Sequence, residues 1–259
     1  MLEQLLPIVK QAAEFMLRRN FDINQKGNDS NFATSADIAV EQFLKEKLCT
    51  LLPGSTMLGE EESTPDLSRE YIWVVDPIDG TSNFIRDLGA SVISVGLLKN
   101  RQPYIGVIYF PYRDEMYYAQ EGKGAFCNGT PIRVSDRDFA HGHFCTAMSL
   151  YEKKLAPPCF EVLRRVYADC DDLRRFGAAA LELAYLAAGK VELYFEIRLF
   201  AWDVAAAAAI LREAGGYIEF MFHKELPLTE PTGVIAANCR ESFEKLRGIV
   251  YGQIPEKLY

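Results

Sequence analysis

The 259-residue sequence predicts an α+β first half that gives way, near residue 140, to an α/β second half. Residues 72–75 are four consecutive large apolar residues, the pattern of a strand covered on both faces. Residues 91–98, 104–110 and 116–119 read as successive strands joined by turn-like stretches at 99–103 and 111–114, which makes a meander. Beyond residue 140, helical blocks at 161–170, 178–188 and 201–214 surround a buried strand at 191–195.

In chain order, residues 2–18 form an amphipathic helix, with Leu5, Leu6, Val9, Ala12, Ala13, Met16 and Leu17 at helical spacing and Pro7 tolerable near its start. Residues 26–37 are a polar connection into a second helix, whose apolar positions are Ile38, Phe43, Leu44 and Leu48. Thr34 or Ser35 suits its cap, and Asp37 in its first turn is favoured by the helix dipole. The glycine-rich stretch 122–129 lacks the strand-to-helix context of a nucleotide loop and reads as another hairpin. The helix 201–214 stops at Gly215-Gly216, and Asp203 in its first turn again has the dipole as a sufficient explanation.

The chemistry-bearing residues gather around 73–84, Trp-Val-Val-Asp-Pro-Ile-Asp-Gly-Thr-Ser-Asn-Phe. The apolar strand is expected to stop where Asp76 and Asp79 set two carboxylates across a proline-fixed bend, before Gly80, which permits unusual dihedrals. Thr81, Ser82 and Asn83 can start a helix, so backbone N–H groups around Gly80 to Ser82 are free to bind an anion. An ordinary Asp-Pro-Gly turn explains the pentapeptide equally well on its own. Upstream, Gly59 precedes Glu60, Glu61 and Glu62, a run that alone reads as solvated surface. With Asp76 and Asp79, however, Glu60 supplies a third carboxylate for a hard, oxygen-preferring cation such as Mg2+.

Composition limits the alternatives. A net charge of −8 argues against a nucleic-acid partner and repels a phosphorylated substrate unless bound cations reverse the local field. The six cysteines form no Cys-x-x-Cys pair and read as reduced structural thiols. His141 and His143 fit a strand edge better than a metal site, given Phe139 and Phe144 beside them. No signal-peptide pattern or uninterrupted apolar stretch of membrane length is present, so a cytoplasmic location without membrane contact is expected.

Gly59-Glu60-Glu61, the 73–84 stretch and Ala201-Trp202-Asp203-Val204-Ala205-Ala206, in this order and spacing, resemble the inositol monophosphatase family of Mg2+-dependent, lithium-sensitive phosphatases, from about Leu5 to Arg247. The resemblance implies a layered αβαβα sandwich of the inositol monophosphatase and fructose-1,6-bisphosphatase type, and a homodimer. Residues 1–259 would be one phosphatase domain of two packed halves, about 1–140 with the main metal motif and about 141–259 completing the site. It implies two to three Mg2+ ions held by Glu60, Asp76, the Ile78 carbonyl, Asp79 and Asp203. Thr81, oriented by Asp37, would help deprotonate the attacking water, with Glu60 reaching a further ion through water. Gly80, Thr81 and Ser82 would bind the phosphoryl group, Ala179 would face the substrate through its backbone, and Glu196 would bond substrate hydroxyls unless it pairs with Arg198.

The implied substrate is a small phosphorylated metabolite, inositol monophosphate foremost. Fructose 1,6-bisphosphate and 3′-phosphoadenosine 5′-phosphate are the rivals within the superfamily, and a non-catalytic regulatory protein is the rival outside it. Ala207, where many relatives have Gly, and residues 220–227, which lack the usual Gly-x-Pro, depart from the family pattern and bear on substrate preference.

Overall fold

In the computed structural model, which describes residues 1–25, 32–61, 64–148 and 152–256, Leu5, Val9, Ala12, Ala13 and Met16 are buried along one side of α1 (Leu2–Leu17). Two short antiparallel strands, β1 (Ile23–Gln25) and β2 (Phe32–Thr34), lead into α2 (Ser35–Leu51). Residues 26–31 of the expected polar connection lie outside the described residues, as does Glu62.

The first sheet contains β3 (Thr56–Gly59), β4 (Tyr71–Asp79), β5 (Val92–Lys99), β6 (Gln102–Phe110), β7 (Glu115–Gln120), β8 (Ala125–Cys127) and β9 (Thr130–Ile132) in chain order, with the short helix α3 (Thr81–Ile85) between β4 and β5. β3 runs parallel to β4 and the remaining neighbours are antiparallel, which is the expected meander. Alternation along β4 sends Trp73 and Val75 into the core under α1 and α2 and Ile72 and Val74 into the core on the opposite face. The strand does not stop at Val75 as expected. It pairs with β5 through Asp76↔Ser94 and Asp79↔Val92, and only its register shifts in between, where Pro77 has no N–H to offer the ladder.

The second half adds β10 (His143–Ala147), α4 (Ala156–Tyr167), β11 (Asp172–Arg174), α5 (Ala179–Ala187), β12 (Leu193–Leu199), α6 (Ala201–Glu213), β13 (Tyr217–Phe220), β14 (Thr232–Ala237) and α7 (Arg240–Tyr251). Its strands form a mixed sheet ordered β11-β10-β12-β14-β13. α4 begins earlier than expected, because Pro157 and Pro158 fit the first turn of a helix. Three cores divide the chain into five layers. One fills the space between α1, α2 and the first sheet, a second surrounds α5 and α6 between the two sheets, and a third lies between the second sheet and α4 with α7. The architecture is αβαβα.

The glycine-rich stretch 122–129 leads into the hairpin of β8 and β9, as expected. Its anion is internal: the Glu213 carboxylate accepts the N–H groups of Gly122 at 2.8 Å and Gly124 at 2.7 Å. His143 opens β10 and its Nε2 lies 3.3 Å from an Asp171 oxygen, while His141 Nδ1 meets Asp138 at 2.7 Å. All six cysteines are free thiols. Among the described residues no helix is long and apolar enough to cross a membrane.

α6 lies directly on strand backbone. Gly96 and Gly106 are cross-strand partners, and a Cβ built on Gly96 would come 2.9 Å from the Ala205 Cβ, while one on Gly106 would collide with the Ala206 carbonyl. Gly106→Ala should therefore destabilise the fold by about 1–3 kcal/mol through overpacking. Gly248→Ala, in α7 with open space around the new methyl group, should stabilise by about 0.5–1 kcal/mol. Urea denaturation of the two variants measures both, and a neutral Gly106→Ala would contradict the close packing.

Candidate active site

Three elements deliver the acidic residues to one place. β4 brings Asp76 and Asp79 at its C-terminal end. The parallel register Gly59↔Val75 sets Glu60, one residue past β3, beside Asp76. α6 contributes Asp203 from its first turn, and the Ser94 hydroxyl, on the residue paired with Asp76, donates to the Trp202 carbonyl at 3.3 Å and ties the start of α6 to the sheet. One carboxylate oxygen from each of Asp76, Asp79 and Asp203 lies within 4.8 Å of the others.

Backbone donors hold each carboxylate in place. Asp76 Oδ1 accepts the Ile78 N–H at 3.0 Å, which folds the chain back at Pro77. The two oxygens of Asp79 accept the N–H groups of Ala179 at 3.2 Å and Ala180 at 2.7 Å, so this acid of the first half sits at the start of α5 in the second. The N–H of Ala179, expected to face substrate, is thus directed at Asp79. Asp203 Oδ2 accepts the Phe200 N–H at 2.6 Å.

Electrostatically, the cluster is over-supplied with negative charge. Burial pushes the Asp76 carboxyl well above the usual range, and the charges of Glu60, Asp79, Asp203 and Asp37 push it further. Asp203 is raised in the same way by burial and then by Asp79 and Glu60. Burial raises Asp79 to about 6 against the pull of backbone donors from Ala180, Ala179, Leu181 and Gly80. Every charged group among these leading causes is another carboxylate. An all-oxygen donor set with this much uncompensated charge fits a hard divalent cation.

Asp37 is buried in the first turn of α2 in a capping box: its Oδ2 accepts the Thr34 N–H at 2.7 Å and the Thr34 hydroxyl at 2.5 Å. The helix-start reading of this acid is therefore correct, and its effect on Asp76 places it in electrostatic range of the cluster. Thr81 donates its hydroxyl to the Ile78 carbonyl at 3.1 Å. Gly80 adopts φ +86°, and a Cβ there would press on the Ala90 carbonyl at 3.0 Å and the Ala178 methyl at 3.1 Å, so only glycine fits this turn. Thr81 and Ser82 open α3, where N–H groups have no intrahelical acceptor. Glu196 accepts the Tyr194 hydroxyl at 2.8 Å; the alternative pairing with Arg198 is not formed, because Arg198 meets Glu152 at 3.1 Å.

Three further residues build the site: the sequence reading gives Asn83 only a helix-starting role and assigns none to Glu182 or Glu41. Asn83 spreads its amide over the carbonyls of Ala90 at 2.7 Å, Phe176 at 2.7 Å and Gly177 at 3.3 Å, joining α3 to the turn before α5. Glu182 holds the other side of that turn through the N–H groups of Phe176 at 2.5 Å and Gly177 at 2.9 Å. Glu41 lies buried on α2, in phase with Leu44 and Leu48, a spacing that could have revealed it.

Burial raises Glu182 to about 7 and, with help from the Glu182 charge, raises Glu196 to about 8. A carboxylate with a raised folded-state pKa favours the fold below its unfolded value, about 4.3, and loses that contribution as pH climbs through the folded value. The cation-free protein should therefore lose stability between about pH 5 and about pH 8. Glu182→Gln, which keeps an acceptor for the turn but removes the charge, should recover more than about 1 kcal/mol of that loss. Denaturant midpoints in EDTA across this range test the sign; a wild-type stability that rises with pH would contradict it.

The sequence profile of the inositol monophosphatase family matches residues 2–253. Nus factor SuhB of Pasteurella multocida strain Pm70 is 37% identical over 191 residues, 73% of this chain and 72% of its own. A fructose-1,6-bisphosphatase/inositol-1-monophosphatase of Aquifex aeolicus strain VF5 is 32% identical over 225 residues, 83% of this chain and 85% of its own. Among solved structures, the extragenic suppressor protein suhB of Bartonella henselae superposes with a TM-score of 0.87 at 30% identity, covering 98% of this chain and 99% of that one. The chain belongs to the inositol monophosphatase family and is a phosphomonoester hydrolase.

Proposed function

We propose that the protein hydrolyses the phosphate monoester of a small polyhydroxylated metabolite, inositol monophosphate foremost, with Mg2+ as its cofactor. The convergence of Asp76 and Asp79, both buried, with the half-buried Asp203, and with other carboxylates as the charged groups acting on them, carries this reading. Asp76, Asp79 and Asp203, with Glu60 and the Ile78 carbonyl, are the groups that would hold two to three ions. When bound there, Mg2+ supplies the positive charge that neutralises the phosphoryl group and lowers the pKa of the attacking water.

In this reading the chain's own groups do the rest. Thr81, oriented by Asp37, helps to take the proton of the attacking water. The N–H groups at Gly80, Thr81 and Ser82 bind phosphoryl oxygens as charge spreads over them. Glu196, held by Tyr194, accepts substrate hydroxyls, while the Ala179 N–H stays on Asp79. Residues 1–140 and 141–259 act as two packed halves of one domain, because Asp79 and Asp203 come from different halves. A cytoplasmic homodimer, sensitive to Li+, completes the reading.

A second reading has two supports. The Aquifex aeolicus relative carries fructose-1,6-bisphosphatase in its name, and the Pasteurella multocida relative is called a Nus factor. The first favours a sugar bisphosphate as substrate, and the second favours a regulatory role beside or instead of catalysis.

Phosphate release from inositol 1-phosphate, fructose 1,6-bisphosphate and 3′-phosphoadenosine 5′-phosphate, each with Mg2+, with EDTA and with added Li+, separates these. Mg2+-dependent release favouring inositol 1-phosphate is expected, and release from none by folded protein would favour the regulatory role. Asp203→Asn should keep the fold and lose about 100-fold or more in turnover, with a weakened Mg2+ response. Thr81→Ala should lower kcat more than it raises KM; a change in KM alone would make Thr81 a binding residue.

A further inference from the structure

Position 41 lies on the buried face of α2, where Leu44 and Leu48 supply packing, yet it holds a carboxylate. A buried carboxylate is costly unless it is bonded to something that needs it. Glu41 Oε2 accepts the backbone N–H of Glu61 at 2.8 Å. On the other side of Glu60, the same carboxylate lies flat against Gly59: a Cβ on Gly59 would come within 2.6 Å of Oε1 and closer still to Oε2 and the carboxylate carbon. The turn that carries Glu60 is therefore gripped at the residue before it and the residue after it by one side chain. A cavity of about 30 Å3, lined by Ile38, Glu41, Gln42, Lys45 and Glu61, leaves room beside this grip for a water molecule.

We infer that Glu41 is a positioning residue: it fixes the Gly59–Glu61 turn so that the Glu60 carboxylate is presented to Asp76 and Asp203. Both of those acids feel the Glu60 charge. Glu41 also sits one helical turn after Asp37, so a single face of α2 sets two acids of the centre at once. The role assigned to Glu60 rests on the phosphatase reading above. The grip itself explains why position 59 must be glycine although its backbone has no positive φ.

The test is divalent cation binding by the full-length protein without substrate, using Mn2+ as the probe in isothermal titration calorimetry. Glu41→Ala should weaken Mn2+ binding about tenfold or more, as loss of a partner behind a ligand does. Glu41→Gln, which keeps an acceptor for the Glu61 N–H, should recover most of that loss. Gly59→Ala, which pushes the turn off the carboxylate, should weaken binding like Glu41→Ala and carries the test if Glu41→Ala fails to fold. In a Glu60→Gln background, Glu41→Ala should have no further effect on affinity. Wild-type affinity in Glu41→Ala or, where that variant does not fold, in Gly59→Ala overturns this inference alone, as does an equal loss with and without Glu60. Absence of Mn2+ binding by the wild-type protein overturns it together with the phosphatase reading.

Discussion

The close approach of α6 to β5 and β6 is the constraint on which the rest of the molecule depends. Two glycines side by side on adjacent strands leave no Cβ layer, and a helix of alanines settles onto bare backbone. That depth is what lets a second sheet pack on the far side of α5 and α6, giving five layers with a thin centre. It also fixes the first turn of α6, and with it Asp203, at hydrogen-bonding range of the strand that faces Asp76. Ala207, the departure from the family's glycine, is wholly buried in this layer and adds a methyl group to its packing.

The acidic centre is built where three helices begin. Asp37 stands in the first turn of α2, Asp79 receives the first N–H groups of α5, and Asp203 stands in the first turn of α6. The positive ends of three helix dipoles are thereby aimed at one cluster of carboxylates. They offset its self-repulsion only in part, since the three acids bound most closely together still have raised pKa values. Charge of this kind is stored in the fold and satisfied from outside it.

Much of this was legible in the sequence where a signal is local. The apolar run of β4, the alternation of the meander strands and the alanine block of α6 each state their own structure. The acids at 76 and 79 stand out by their spacing across Pro77, whereas Asp203 joins them only through the family resemblance. The end of β4 was misread because Pro77 looks like a stop, whereas ladder pairing on either side carries the strand past it. The spacing of Glu41 with Leu44 and Leu48 marks it as buried but not what it holds, because the Glu61 N–H is twenty residues away; Glu182 bonds a turn only five and six residues before it, but nothing local shows that this turn meets Asn83. The order of the second sheet depends on β10 finding β12 across α4 and α5, a long-range pairing that no window of sequence contains.

Asn83 has a consequence for how the molecule comes apart. Its single amide nitrogen joins Ala90, in the first half, to Phe176 and Gly177, in the second, two residues along the chain from Thr81. Asp79 spans the same seam through α5. Separating these segments would break hydrogen bonds of Asp79, an acid of the centre, and of Asn83 beside it, so seam and site share the same bonds. A ligand that tightens the centre would then act as a rivet for the whole sandwich, and its grip would be felt as protection of amides far from the atoms it touches.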